Sequence, residues 1–250
     1  MSKDKAVRST QKALHATGPY TIYAAGGLFN QHELATNVWI KEAVSRLSGG
    51  RFQLFLPQSK ELRDLDRPDV KAYIRNDDLV HVVKADILLA RFDGLDLDSG
   101  TVVEYMAAKA LGKPTVIWRT DFRRQSATSL SEPYNLMVEN WPRTLEIRMD
   151  AFVMYMSLLA QERKALGECE PFQDTMKAEL GTVQKSVDEV ARKLIDGLQA
   201  VLKMESPYPP EVQETVYRTF RHSPGSGFDQ MLTEEELDEI IQRLRRNGTL

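Results

Sequence analysis

The fold is decided by residues 85–120, which read ADILLARFDGLDLDSGTVVEYMAAKALGKPTVIWRT. The apolar run at 85–94 is typical of a buried strand, and it leads through an acidic loop into an apolar helical run at 100–112. Gly112 is placed to cap that helix, and the apolar run 113–120 follows directly as another strand. A strand, a helix and a second strand in this order predict a parallel β–α–β unit with a right-handed crossover.

The sequence before this unit repeats the same alternation. The strands and helices predicted there are, in order, 20–29, 31–47, 51–57 and 70–84. We therefore predict an α/β fold, a doubly wound parallel sheet of the flavodoxin or Rossmann-like kind, over residues 20–142. In such sheets the loops that follow the strands gather at one edge, where ligands bind. The loops expected at that edge are 24–30, 57–62 and 93–100.

Past residue 142 the strand patterns give way to helical ones. The predicted helices are 145–165, 172–204 and a last one that begins at the Thr233–Glu236 capping box and ends near Gly248. The long helix 172–204 is expected to pack against the core or at a subunit interface, and the basic and aromatic stretch 217–229 to form a surface loop. The predicted organisation is a disordered leader over 1–18, a catalytic domain over 19–142 and a helical extension over 143–250.

Composition excludes several classes of function. The net charge of −3 over 250 residues gives no basic field for nucleic acid. A single cysteine, Cys169, excludes a disulfide framework, and the four histidines are scattered, so we expect no metal site. No apolar run is long enough to span a bilayer, and the first residues lack the apolar core of a signal peptide. A cytoplasmic protein without a membrane or nucleic-acid partner is predicted.

The loop 93–100 places three carboxylates, Asp93, Asp96 and Asp98, within six residues around two glycines. Carboxylates this close repel unless cations or hydrogen bonds use them. Asp98 can cap the following helix, and Glu104 lies about one turn inside it, where the helix dipole favours an ionised side chain. A helical glutamate is more commonly a solvated side chain, but the apolar residues around Glu104 favour a buried nucleophile.

A second pair of acids, Asp77 and Asp78, lies in the segment NDDLVHVVKAD at 76–86. Either side chain can reach the same edge of the sheet, although both also fit ordinary solvated charge. Two carboxylates in different environments, one ionised and one able to hold a proton, are the equipment for breaking a glycosidic bond with retention.

With these segments in view, residues 20–142 resemble the nucleoside 2-deoxyribosyltransferase family. The resemblance rests on IYAAGGLF (22–29), NDDLVHVVKAD (76–86), LARFDGLDLDSGTVVEYMAAKALGKP (89–114) and YNLM (134–137). It implies transfer of the 2-deoxyribosyl group between nucleobases through a covalent ester on a glutamate, without a cofactor. The DGLDLDSGT form resembles the purine-preferring branch. The implied partners are 2′-deoxynucleosides and free nucleobases.

The resemblance also implies the roles of individual residues. Glu104 is the implied nucleophile, Tyr23 its hydrogen-bond donor, and Asp78 the acid that protonates the departing base, with Asp77 as the alternative. Asp98 is implied in nucleoside binding. Asn135 and Met137 are implied to reach into a neighbouring subunit's site, which predicts a homo-oligomer with shared active sites. Further substrate contacts are expected from Gly27, Phe29, Gln58 and Ser99, although Gln58 fits a solvated loop residue equally well.

Two alternative functions remain open at this point. The first is a hydrolase of 2′-deoxynucleoside 5′-monophosphates, which would use the same nucleophile and water as the acceptor. Ser99 and the hydroxyl-rich stretch 123–131 favour it, whereas Asn135 suits a free 5′-hydroxyl. The second is a non-catalytic nucleotide-sensing module whose helical tail assembles with partners, although a pure binder would not need tuned acids.

Overall fold

The structure, a computed structural model, describes residues 18–60, 66–123, 134–166 and 173–250. All but the last residue of the predicted leader, and most of the stretch 123–131, lie outside these residues. Within them the elements are, in chain order, β1 (Tyr20–Ala25), α1 (Gln31–Leu47), β2 (Phe52–Phe55), α2 (Val70–Lys84), β3 (Ile87–Arg91), α3 (Ser99–Ala110), β4 (Thr115–Arg119), β5 (Thr144–Arg148), α4 (Ala151–Leu166), α5 (Gln173–Val201), α6 (Pro210–Phe220), α7 (Phe228–Met231) and α8 (Glu234–Asn247).

The strands form one parallel sheet in the order β2-β1-β3-β4-β5, which confirms the predicted doubly wound fold. β3 and β4 are buried along almost their whole length, as their continuous apolar sequences require. The chain leaves β1 for β2 on one side and crosses back to β3 on the other. The crevice at this switch point, beyond the carboxyl ends of the strands, is where such sheets bind ligands.

Helices cover both faces of the sheet. On one face α1 and α5 pack over a core that includes Ile22, Leu89 and Leu194. On the other face lie α2, α3 and the last three helices, around Tyr23, Tyr105 and other buried residues. The predicted packing of the long C-terminal helix against the core is thereby confirmed, because α5 serves as one of the covering layers of the sheet.

The prediction of a helix from residue 145 is wrong over its first six residues. Residues 144–148 form β5, which pairs with β4, and the helix begins only at Ala151. Leu145 and Ile147 alternate with charged residues and pack against α5. A Cβ atom on Gly197 of α5 would lie 2.6 Å from Cδ1 of Ile147, so this glycine allows the helix and the strand to meet.

The end of the chain is packed more tightly than the sequence suggests. α6 begins at Pro210, and the stretch 217–229, expected to be a surface loop, buries Tyr217 and Phe228 in the core. That prediction is wrong because the aromatic side chains of the stretch face α2 and α8, not solvent. The predicted capping box of Thr233 and Glu236 is confirmed, and Gly248 ends α8 in the left-handed conformation.

A buried aspartate fastens α8 to the amino end of the sheet. Asp86, fully buried before β3, accepts hydrogen bonds from the Thr21 amide at 2.9 Å and Arg243 at 2.8 Å. Asn247 and Thr249 donate to its other oxygen at 2.9 and 3.2 Å. Because this network lies at the edge opposite the binding crevice, it supports the fold without entering the candidate site.

Candidate active site

Of the three aspartates in the loop after β3, one is structural. Asp93 accepts hydrogen bonds from the backbone amides of Thr120 at 2.6 Å and Asp121 at 2.9 Å. The Thr120 hydroxyl donates to its second oxygen at 3.0 Å. Asp93 therefore joins the loops that follow β3 and β4, and fixes the shape of this edge of the sheet.

A second aspartate of the loop, Asp98, forms the N-cap of α3. Its carboxylate accepts from both the amide and the hydroxyl of Thr101, each at 2.7 Å. Ser99 is the first residue of the helix and is exposed to the crevice edge. The cap directs the positive end of the α3 dipole toward the crevice and places Glu104 on the second turn.

The three residues predicted to be catalytic come together above the sheet. The Tyr23 hydroxyl lies 2.5 Å from Oε1 of Glu104 and 3.5 Å from Oδ1 of Asp78. Tyr23 is fully buried in β1, where its ring stacks on Phe55, and Phe55 in turn stacks on His81. β1, α2 and α3 each supply one member, so the arrangement depends on the crossover topology and not on sequence proximity.

Burial controls the ionisation of this cluster. Desolvation raises the pKa of Glu104 to about 7, against the lowering effect of the hydrogen bond from Tyr23. The charges of Asp78 and Asp98 contribute to this rise in the pKa, and the charge of Lys60 opposes it. The sequence predicted an ionised Glu104 from the helix dipole alone, whereas desolvation leaves it about half protonated near neutral pH. Burial also raises the pKa of Tyr23 far above its ordinary value, so its hydroxyl stays a donor.

Lys60 is a member of the cluster that the sequence did not reveal. Its ammonium donates to Oδ2 of Asp77 and Oδ1 of Asp78, both at 2.5 Å. Burial alone would lower the pKa of Lys60, but the bonds to these two aspartates raise it above its ordinary value. Its only sequence signal is a lysine five residues after β2, in a loop that contains several basic residues.

The two adjacent aspartates of α2 differ in their surroundings. Asp78 faces Tyr23, whereas Asp77 approaches His81, with 3.6 Å between its Oδ1 and Nδ1 of the ring. The structure thus brings Asp78 to Tyr23 and Glu104, and it gives Asp77 a place on the outer side of Lys60. The sequence had left Asp77 open as an alternative to Asp78 for the acid that protonates the base.

An open cleft of about 620 Å³ lies among the loops that follow β1, β3 and β4. Three predicted substrate-binding residues, Gly27, Phe29 and Asp98, line it, but the side chains of the cluster itself do not. Phe29 is 78% exposed, and Gly27 is buried beneath Glu33, whose carboxylate a Cβ atom would strike at 2.4 Å. The cleft is acidic: it holds five carboxylates and two guanidinium groups, those of Glu33, Asp93, Asp96, Asp98, Asp121, Arg91 and Arg123.

Gln58 is engaged within the protein. Its carbonyl oxygen accepts from Asn37 at 2.8 Å, and its amide donates to the Leu34 carbonyl at 3.0 Å. Asn37 also donates to the Gly27 carbonyl at 3.2 Å. Gln58 therefore holds the loop after β2 against α1 and the glycine turn.

Asn135 and Met137 lie in a short turn packed on α3. The Asn135 side chain accepts from the Met137 amide at 2.9 Å, and Tyr105 anchors the turn by donating to the Val138 carbonyl at 2.9 Å. Met137 is 76% exposed. Within the described residues no hydrogen bond joins Asn135 to Tyr23, Asp78 or Glu104.

Neither a metal site nor a membrane-spanning helix is found in the described part of the chain. In residues 18–60, 66–123, 134–166 and 173–250 no group of three or more histidine, cysteine or acidic side chains is arranged to hold a metal ion. Among the helices of the same residues, none combines the length and the apolar character that a membrane span requires.

The fold and the carboxylate cluster define an α/β protein with an acidic candidate site, and its similarity to known proteins is as follows. A conserved protein from Enterococcus faecalis V583 is 22% identical, with 73% of this chain and 99% of that chain covered and a TM-score of 0.40. A 2-deoxyribosyltransferase from Bacillus psychrosaccharolyticus is 27% identical, with 50% and 85% covered and a TM-score of 0.39. No curated protein matches the chain. Residues 22–140 match the model of the nucleoside 2-deoxyribosyltransferase family.

Proposed function

We propose that the protein transfers a 2-deoxyribosyl group between nucleobases by double displacement, with a covalent ester on Glu104. The observation that carries the proposal is the contact between Tyr23 and Glu104, 2.5 Å long and next to Asp78, in the part of the chain that matches the family model. A carboxylate held by a donor on one side and an acid on the other fits a reaction at C1′ with an oxocarbenium-like transition state.

In the first half of the proposed reaction the base leaves. Tyr23 occupies Oε1 of Glu104, so Oε2 attacks C1′ of the nucleoside. The bond from C1′ to the base nitrogen breaks, and its electron pair goes to the base. Asp78 in its protonated form gives its proton to the base, which departs neutral. The products are a deoxyribosyl ester on Glu104, the free base and an ionised Asp78.

The second half reverses these steps with another base. The acceptor nitrogen attacks C1′, the ester bond breaks, and its electron pair returns to Glu104. Asp78 takes the proton that the acceptor nitrogen loses. Water must stay out while the ester exists, because hydrolysis would end the transfer. We propose that the turn carrying Asn135 and Met137 closes the site of a neighbouring subunit, which makes the active unit a homo-oligomer.

The rest of the site is proposed to hold the substrate. Asp98 binds the sugar, and the backbone at Gly27 and Ser99 lies close to the sugar. The exposed ring of Phe29 offers a face on which a base stacks. Gln58 and Asp77 are proposed at the base side. We also propose that the protein prefers purine bases, on the basis of the DGLDLDSGT form of the acidic loop alone.

The charge of the cleft bears on the choice between nucleosides and their monophosphates. Five carboxylates and two guanidinium groups line it, and Arg123 is already paired with Asp121 at 2.5 Å. An acidic cleft repels a phosphate dianion, so its charge supports a neutral 2′-deoxynucleoside as the substrate. We propose that the reaction takes place in the cytoplasm, because a chain with a single cysteine forms no internal disulfide and suits a reducing compartment.

The proposal is tested by incubating the protein with deoxyinosine and free adenine. The expected products are deoxyadenosine and hypoxanthine in equal amounts, and the Glu104→Gln variant should form neither. Release of hypoxanthine without deoxyadenosine would show a hydrolase, and a parallel incubation with deoxyinosine 5′-monophosphate would show whether the phosphate is required. A protein that binds deoxyinosine but releases no base would be a sensing module, which would refute the proposal.

A further inference from the structure

Lys60 lies at the centre of the acidic cluster, although no motif in the sequence marks it. Its side chain is only 10% exposed, and its ammonium is 2.5 Å from one oxygen of Asp77 and 2.5 Å from one oxygen of Asp78. It reaches them from the loop after β2, while both aspartates belong to α2. A buried lysine that joins two adjacent carboxylates restrains both side chains.

The two carboxylate oxygens of Asp78 differ in their hydrogen-bond partners. Oδ1 accepts from Lys60 at 2.5 Å and lies 3.5 Å from the Tyr23 hydroxyl. Within the described residues no hydrogen bond engages Oδ2. We propose that Lys60 is a positioning residue for the proposed transfer reaction: by occupying Oδ1 of Asp78, it leaves Oδ2 directed to the nucleobase. This inference rests on the proposed function, because it assigns Lys60 a role only through the proton that Asp78 handles.

The charges around Lys60 explain why the position needs a cation. Asp77 and Asp78 of α2 bind its ammonium, and His81 of the same helix lies beside Asp77. Tyr23 of β1 lies between Asp78 and Glu104, and Glu104 and the N-cap Asp98 bring two more carboxylates from α3. Asp78 and Glu104 lie on either side of the same tyrosine hydroxyl, where two negative charges would repel. The ammonium offsets that repulsion, so that both acids can remain beside Tyr23.

Asp77 has a complementary part in this arrangement. Its Oδ2 takes a second bond from the ammonium, and its backbone carbonyl contacts the His81 ring at 2.8 Å. Asp77 thus anchors Lys60 from the side away from Tyr23. A lysine bound to Asp78 alone could rotate about its flexible stem, whereas two partners fix the direction of the ammonium.

The test compares leaving groups. Deoxyinosine needs a proton on its departing base, whereas 7-methyl-2′-deoxyguanosine already carries a positive charge and departs without one. In Lys60→Gln we expect kcat for base release from deoxyinosine to fall about 10- to 100-fold, part of the roughly 10²–10⁴-fold effect of a general acid. Base release from the methylated substrate should change less than about threefold. Lys60→Arg should recover part of the loss, and Lys71→Gln, an exposed lysine on α2, serves as the matched control.

A double variant separates positioning from a purely structural role. If Lys60 acts through Asp78, then Lys60→Gln should have little further effect in an Asp78→Asn background. Equal loss on both substrates, or additive losses in the double variant, would overturn the inference and leave Lys60 as a loop anchor. If the wild-type protein releases no base from either nucleoside, the proposed function itself fails and the inference falls with it. Transfer by the wild type with a fully active Lys60→Gln variant would refute the inference alone.

Discussion

The buried nucleophile should reduce the stability of the folded protein. Burial beside Asp78 and Asp98 raises the pKa of Glu104 from its ordinary 4.5 to about 7. Between these values the folded protein holds a proton that the unfolded chain has lost, so the free energy of unfolding falls as pH rises. From this shift, the ionised carboxylate costs about 3 kcal/mol at pH 8 and less than about 1 kcal/mol at pH 5.

Glu104→Gln removes this cost and keeps the neighbouring contact. The amide oxygen of glutamine still accepts from Tyr23, and no charge remains to be desolvated. We therefore expect the variant to unfold with a free energy up to about 3 kcal/mol higher than the wild type at pH 8, and nearly unchanged at pH 5. The stabilised protein should at the same time be inactive, as expected where a site is strained for function.

The assay is urea unfolding followed by circular dichroism, at pH 5 and pH 8 and at one protein concentration. Glu179→Gln, which changes an exposed glutamate of α5, is the matched control and should shift neither curve by more than about 0.5 kcal/mol. An equal shift at both pH values, or a less stable Glu104→Gln protein at pH 8, would refute the reasoning from burial and neighbouring charge.

Three other predictions follow from the structure. First, kcat/KM for base release should fall about tenfold per pH unit below about pH 7, because protonated Glu104 cannot attack C1′; a flat profile down to pH 5 would contradict this. Second, Asp86→Ala should lower the free energy of unfolding by about 3–5 kcal/mol, because it leaves Arg243 without its buried partner. Asp196→Ala, an exposed substitution, should change it by less than about 0.5 kcal/mol. Third, mixing inactive Glu104→Ala and Asn135→Ala subunits should restore activity; a fully active monomer would exclude the shared site.

The elements that the sequence predicted are those whose signals are local. The β3–α3–β4 unit was predictable because continuous apolar strands flank a capped helix, and the α8 capping box because two side chains three positions apart define it. β5 was missed, since its five residues gain strand structure only by pairing with β4 and packing on α5. Tyr217 was placed on the surface because its burial depends on helices distant in sequence.

The candidate site shows the same division. Glu104 and Asp78 could be named from the segments that contain them, but their meeting at Tyr23 requires the parallel crossover. Lys60 was missed because its partners lie 17 and 18 residues away on another element. The predicted ionisation of Glu104 differs from the raised pKa in the structure for a related reason. The helix dipole can be inferred from the sequence, whereas desolvation of the carboxylate depends on how the tertiary structure covers the side chain.

The central claim, that Glu104 carries the sugar between two bases, is tested most directly by trapping the intermediate. A 2′-deoxy-2′-fluoro-nucleoside slows both displacement steps by destabilising the oxocarbenium-like transition state, so the ester should accumulate. After proteolysis, mass spectrometry should find the fluorodeoxyribosyl mass on the peptide that contains Glu104, and it should be absent when free adenine is added to turn the ester over. A sugar adduct on any other peptide, or release of base with no adduct at all, would contradict the account.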